Sequence, residues 1–546
     1  MQVPRFLIFL NSLLLFSVVG FLLFIKLNSY PATLYNWENY TVWNIFQLKF
    51  NEPNVSLKTY AQTSDGLMTE SGFSPIIGLP LYWITTFFSY TLANLRVWTA
   101  LLTLIGALIF YLFISHLFGK KIGTLATVLL CSSQAFLLYG RTATNVGPTL
   151  LAEMLTIVVI YYCLRHPSSL RLATCAFVAI CMNYYFYAPI RFFTPMLFFC
   201  IIRFLTVYFL GFIQKQSTKQ KHRKIDPHII TWTVIAISVT SIFVARTNIL
   251  KYYNGREEQL LTSIFKQPLS TNLLHELILK TYINSQDFIQ LLFSFNSRPV
   301  VIDFGNHFGQ MINRSLVPFF ILGLIYSFYK LRNESSNKFT LILSWFLISS
   351  LPILFTSNVH IGRLFLSLAP MYVLVAIGIT ELANHFLHIK WSRVKKNKKK
   401  ANILLFSTIL VFCVYVSSSE IHAYFFTTPT LDHNIKVLQE NQARLTSKKI
   451  YLLNTENTSL HFWEIAYYLK NQVFFTDSKT TKSLDRLRSS KQISDGILFS
   501  NNSDYQSLTT TCLHSDSVLI IIGKKPDFFA STNPPVCRVT TIRLFQ

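Results

Sequence analysis

Eleven apolar runs, most of them near the length that crosses a bilayer, divide this chain, and the connections between them alternate between Lys-rich and Lys-poor. A helix crossing the ~30 Å hydrocarbon core needs about 20 mostly apolar residues. On that criterion spans are predicted near 6–26, 95–117, 122–140, 146–163, 172–188, 192–213, 229–246, 315–330, 339–356, 364–384 and 402–419. The run 75–92 is also apolar, but Pro75, Pro80 and its aromatics suit an interfacial or re-entrant segment. Counting it as a span would break the alternation. The first run is long for the apolar region of a signal peptide and no A-x-A-like site follows, so it reads as an anchor.

The basic connections are Lys120-Lys121, Arg165 to Arg171, Lys215 to Lys224, Lys330 to Lys338 and Lys390 to Lys400. Lys and Arg are retained on the cytoplasmic side, which places these loops and the N-terminus inside and the C-terminal segment outside. The same pattern explains the net charge of +25 in a chain that is 51% hydrophobic and only 13% charged, against about 25% charged in soluble proteins. The excess reports topology and attraction to anionic membrane lipids. The run Lys395 to Lys400 lies beside a span, so no nucleic-acid partner is expected.

Three segments face outward: 27–92, 247–314 and 420 to the end. The expected fold class is therefore an all-α polytopic membrane protein of about eleven helices, with a small α/β extracytoplasmic domain. Residues 1–420 form the membrane module and 421–546 the domain. Within the latter, Asp432 to Leu445 and Leu460 to Leu469 read as helices, and KKIYLL, SVLIII and TTIRLF as strands. No Walker pattern or GxGxxG follows a strand, which disfavours an ATP-driven pump within this chain. Six of the eight Cys lie in or beside apolar runs, where they act as small hydrophobes. Cys512 and Cys537 lie in the outer segment, where a disulfide is chemically accessible. No Cys/His spacing marks a metal site.

Two constellations can carry chemistry. Glu38, in Tyr35-Asn36-Trp37-Glu38-Asn39-Tyr40, follows the first span among aromatics that anchor at headgroup level. Held there out of water, a carboxylate can serve as a general base. Local sequence alone favours a solvated loop acid, and Asp65 and Glu70 share that alternative. The second constellation is basic: Arg141, Arg191 and Arg363 with His360 fall at outer ends of spans, where the topology rule disfavours cations. Arg contacts phosphate bidentately, so a convergent outer cluster suits a lipid-linked phosphate. Snorkelling to outer headgroups is the alternative for any one of them.

With these residues in view, the chain resembles the GT-C glycosyltransferases of the protein O-mannosyltransferase and aminoarabinose transferase type, the glycosyltransferase 39-like family. Trp37-Glu38-Asn39 falls where that family has an aromatic followed by an acid pair, with Asn39 in place of the second acid. LRVWTALLTLIGALIFYLFISHLFGKKIGTLATVLL resembles its second and third spans with their turn. Gly140-Arg141-Thr142-Ala143-Thr144-Asn145, Tyr187-Ala188-Pro189-Ile190-Arg191 and His360-Ile361-Gly362-Arg363 resemble three further segments in order. Asn145 stands where an Asp is common, which with Asn39 bears on divalent-metal binding. The likeness covers roughly residues 1–420 and rests on motif order and sidedness.

The resemblance implies an inverting transfer from a polyprenyl-phosphate sugar to a hydroxyl of a protein, lipid or glycan on the outer face. Glu38 would be the base, with Arg141, Arg191, His360 and Arg363 on the lipid phosphate. Asn39, Asp65, Glu70, Asn145 and Tyr187 would be auxiliary. No cofactor is required, although a divalent metal is compatible. The alternatives are a lipid-linked glycan transporter or flippase, a glycan polymerase or ligase, and a catalytically inactive GT-C homologue.

Overall fold

The computed structural model describes residues 5–27, 38, 75–88, 91–183, 186, 188–217, 278–279, 281–289, 311–334, 337–354, 361–391 and 398–426. Near the C-terminus it describes 449–454, 473–474, 497–500, 517–522 and 542–544. Two units form by contact: Met1–Pro31 with Val55–Thr428, and Ala32–Asn54 with Pro429–Gln546.

In the first unit the apolar runs fold as helices. They are α1 (Arg5–Phe24), α2 (Pro75–Phe87), α3 (Leu92–Phe118), α4 (Lys120–Ser132), α5 (Gln134–Arg141), α6 (Thr149–Arg165), α7 (Leu170–Asn183), α8 (Thr194–Ser217), α9 (Val317–Glu334), α10 (Asn337–Leu354), α11 (Ile361–Trp391) and α12 (Lys398–Phe426). Among the described residues, five stretches are long and apolar enough to cross a membrane: Leu92–Phe118, Pro189–Tyr208, Arg314–Asn333, Leu364–His385 and Ser407–Phe426. A sixth is the α4–α5 pair, which is bent by 65°. The run 229–246 lies outside the described residues. The 13 residues of α2 extend only about 20 Å at 1.5 Å per residue, short of a bilayer core.

Local chemistry sets the helix ends. Thr91 caps α3 with its hydroxyl accepting from the Asn94 amide at 3.3 Å. Gly119, with φ of +89°, ends α3 at a conformation that side chains resist, and the chain reverses into α4 at Lys120. The run 122–140, read from sequence as one span, breaks at Ser133. This residue is extended (ψ 144°), and its hydroxyl accepts from the Phe136 amide at 3.3 Å to start α5.

The centre of this unit is α11, buried at every residue from Leu364 to Ile379. It packs against α9, α10 and α4. Glycines bring α9 and α11 backbone to backbone: a Cβ on Gly323 would collide with the Leu374 carbonyl oxygen, and one on Gly378 with the Phe319 carbonyl oxygen. Lipid tails supply no hydrophobic drive between helices, so close van der Waals approach through small residues takes its place.

The second unit contains a five-stranded sheet of order β2-β3-β1-β4-β5, every neighbouring pair parallel. Its strands are β1 (Lys449–Asn454), β2 (Val473–Phe474), β3 (Ile497–Ser500), β4 (Ser517–Ile522) and β5 (Ile542–Leu544). KIYLLN and SVLIII are nearly continuous apolar runs, the pattern common in parallel strands. The helices expected at 432–445 and 460–469, with Cys512 and Cys537, lie outside the described residues.

Because Gly323 faces a backbone carbonyl that cannot rotate away, Gly323→Ala should destabilise the protein by about 1–3 kcal/mol. The expected readout is a lower thermal midpoint in detergent. An unchanged midpoint would contradict the backbone contact between α9 and α11.

Candidate functional site

The last carbonyls of a helix have no partners within it, and in an apolar interior they must find others. Helix α1 ends with the Ile25 amide donating to the Phe21 carbonyl at 2.9 Å. Lys26 then turns the chain with φ of +49°. Two arginines from elsewhere meet this end. Arg141, the last residue of α5, donates from Nη1 to the Leu22 carbonyl and from Nη2 to the Ile25 carbonyl at 2.5 Å. Arg96, in the second turn of α3, donates from Nη1 to the Leu27 carbonyl at 3.1 Å. Both side chains are fully buried. The Arg141 guanidinium also lies over the rings of Phe425, at 4.9 Å, and Tyr424, at 5.7 Å, both at the end of α12.

Glycines let these elements close. Gly140 has no side chain where a Cβ would come within 2.9 Å of Leu23 Cδ2 and 3.1 Å of Thr103 Cγ2. Gly147 faces the Tyr139 carbonyl and lies 2.8 Å, by the same measure, from Thr103 Oγ1. The segment following Arg141 is folded in as well. Thr142, Ala143, Thr144 and Val146 are buried, and the Asn145 carbonyl accepts from Thr149 Oγ1 at 2.6 Å. The connection between α5 and α6 is thus packed against the protein rather than standing free of it.

Two buried acids form further polar nodes. Glu153 on α6 accepts from Trp345 Nε1 of α10 at 2.6 Å, and its second carboxyl oxygen has no hydrogen-bond partner among the described residues. Glu420 on α12 accepts from the Gln134 amide at 3.1 Å, at the start of α5, and from Asn313 Nδ2 at 2.8 Å. Arg191 is half-buried in a 3₁₀ turn, Ala188–Phe193, that packs against α6, α7, α10 and α11.

The residues singled out from sequence are thus distributed. Arg141, Asn145 and Arg191 belong to the first unit, and Arg363 falls in the first turn of α11. Glu38 belongs to the second unit and is fully buried. Asn39, Asp65, Glu70, Tyr187 and His360 lie outside the described residues. Among the described residues, no group of three or more His, Cys, Asp or Glu is assembled that could hold a metal ion.

Comparison with solved structures finds similarity at low identity. ArnT from Cupriavidus metallidurans, bound to undecaprenyl phosphate, is similar at 10% identity and a TM-score of 0.49, over 91% of this chain and 90% of that one. The oligosaccharyltransferase of Archaeoglobus fulgidus in its apo form is similar at 12% identity and a TM-score of 0.46, over 84% of this chain. The chain spans 64% of the length of the archaeal enzyme. No family model and no curated protein sequence matches it.

Several buried polar residues escaped the sequence reading. Arg96 carried a signal, a cation inside the apolar stretch LANLRVWTALL, which in a span marks a partnered residue. Glu420, just beyond the last apolar run, carried a weaker one. Trp345 carried none, since an aromatic in an apolar run is ordinary.

Removing the indole donor leaves Glu153 without its hydrogen bond in the interior. Trp345→Phe should destabilise the fold by about 1.5–3 kcal/mol, and adding Glu153→Met should recover much of that loss. Thermal unfolding of the two single variants and the double variant measures the coupling. Strict additivity would contradict the pairing.

Proposed function

We propose that this chain is an integral-membrane glycosyltransferase that moves a sugar from a polyprenyl-phosphate carrier to an acceptor hydroxyl on the outer face. The observation that carries the reading is the burial of Glu38. A solvated loop acid stays exposed, whereas this one, in the segment that the charge pattern assigns to the outside, is removed from water. A carboxylate held in the protein can take a proton from a bound acceptor hydroxyl.

In this reading Glu38 takes the proton of the acceptor hydroxyl as its oxygen attacks the anomeric carbon. The bond from that carbon to the phosphate oxygen breaks, its electron pair stays with the phosphate, and the configuration inverts. Arg191, Arg363 and His360 hold the phosphate and stabilise the charge that develops on it. The acceptor is a hydroxyl of a protein, lipid or glycan.

A second reading, a lipid-linked glycan transporter, is favoured by one feature: Glu153 lies inside a predicted span with one carboxyl oxygen unpartnered. Ionisable groups at membrane depth often mark transport pathways.

Glu38→Gln should reduce kcat for transfer by about 10²–10⁴-fold with little change in KM for the lipid donor. Arg191→Ala should chiefly raise that KM. Initial-rate assays across donor concentration separate the two effects. Full activity in Glu38→Gln would end its assignment as the base.

A further inference from the structure

The ends of α6, α7 and α8 that the charge pattern assigns to the cytoplasm carry three arginines that the proposed reaction does not use. We infer that they form a located binding site for an anionic phospholipid of the inner leaflet. Arg165, Arg171 and Arg203 hold the headgroup phosphate, and the exposed face of α8 receives an acyl chain. The whole site lies in the first unit and is independent of the transfer reaction.

Two hydrogen bonds draw the cations together. Arg203 on α8 donates from Nη1 to the carbonyl of Leu164, the residue before Arg165 at the end of α6, at 3.4 Å. Cys163 Sγ donates to the carbonyl of Leu172, the residue after Arg171 in the first turn of α7, at 3.4 Å. The turn joining these two helices is tight, with the Ser169 amide donating to the His166 carbonyl at 3.1 Å. All three arginines are nevertheless exposed. The Arg165 guanidinium lies over the Tyr161 ring at 4.5 Å, a contact that holds the cation without neutralising it.

Arg203 is the most informative of the three. It stands within Pro189–Tyr208, a stretch apolar enough to cross a membrane, on a face that the protein does not bury. Only about 8 Å, at 1.5 Å per residue, separates it from the end of that stretch. A cation facing hydrocarbon is costly, and the bond to Leu164 uses one of five guanidinium donors. A phosphate at the headgroup boundary can take others in bidentate fashion.

The helices supply no counterion of their own. No Asp or Glu occurs between Glu153 and Asp226, so the rest of α6 and all of α7 and α8 lack a carboxylate. Basic sites between helices on the cytoplasmic side suit anionic headgroups. Phe199 and Ile202, one turn from Arg203 and next to it on α8, are exposed. They offer an acyl chain apolar surface that leads from the arginine toward the bilayer centre, which a soluble anion would not use.

Native mass spectrometry of the purified full chain, titrated with dioleoylphosphatidylglycerol or dioleoylphosphatidylcholine, tests the inference. The parent chain should bind phosphatidylglycerol about tenfold or more tighter than phosphatidylcholine. Arg203→Gln should weaken phosphatidylglycerol binding about fivefold. The triple variant Arg165→Gln/Arg171→Gln/Arg203→Gln should weaken it about a hundredfold, the scale of one cation beside an anionic headgroup applied three times. If variants at Arg203 do not fold, Arg165→Gln/Arg171→Gln replaces them, with about a twentyfold loss expected. Lys120→Gln/Lys121→Gln removes two exposed cations from another basic turn and should leave binding within about twofold. Equal binding of the two lipids would overturn the inference, as would undiminished phosphatidylglycerol binding by the triple variant. A loss in Lys120→Gln/Lys121→Gln as large as that at the arginines would overturn it in favour of diffuse attraction. Binding of glycerol phosphate as tight as that of the lipid would overturn the part given to α8. Sugar transfer does not enter this readout, so the function proposed above is tested separately.

Discussion

Inside a bilayer no water is present to satisfy a polar group, so each one must find its partner within the protein. That constraint organises the first unit. The end of α1 is closed by Arg96 and Arg141. The start of α5, exposed by the break at Ser133, is closed by Glu420, which Asn313 also holds. Glu153 is met by Trp345. Each node joins helices that are distant in sequence, so the polar exceptions to an apolar composition also fix which helices stand together.

The basic charge accordingly divides into two populations. At the turns, long cations lie along aromatic rings: Arg165 over Tyr161 at 4.5 Å, Lys330 over Tyr326 at 5.6 Å, and Lys338 over Phe118 and Phe339 at 5.4 and 5.3 Å. This is the geometry of side chains that cover apolar surface while their heads reach the headgroup layer. Among the described residues, the fully buried cations are Arg96 and Arg141, and both donate to backbone carbonyls. A rule based on sidedness detects Arg141 as an oddity but cannot separate a headgroup ligand from a helix cap. Both place a cation at the outer end of a span.

What was legible in the sequence follows from range. The long apolar run of α3 and the reversal at Gly119 are local, and both were readable, as were the apolar strands β1, β4 and β5. The break at Ser133 is marked only by the short polar step Ser132-Ser133-Gln134 between apolar stretches, and the amide it exposes is satisfied by Glu420, far along the chain. Strands β2 and β3, of two and four residues, are too short to show a period. The candidate site residues were named from the sequence by residue type and by the charge pattern of the connections. The commitment of Arg141 to carbonyls more than a hundred residues away in sequence could not be read from any window. The burial of Glu38, likewise, distinguishes a shielded acid from a solvated one in a way that its immediate neighbours do not.

The account stands or falls on group transfer. Purified protein in liposomes, supplied with radiolabelled polyprenyl-phosphate sugars and a mixture of hydroxyl-bearing acceptors, reports it directly. The account predicts that label leaves the lipid and appears on an acceptor hydroxyl through a glycosidic bond of inverted configuration. Label that remains on the lipid, including label that crosses the bilayer still attached to its carrier, would contradict it.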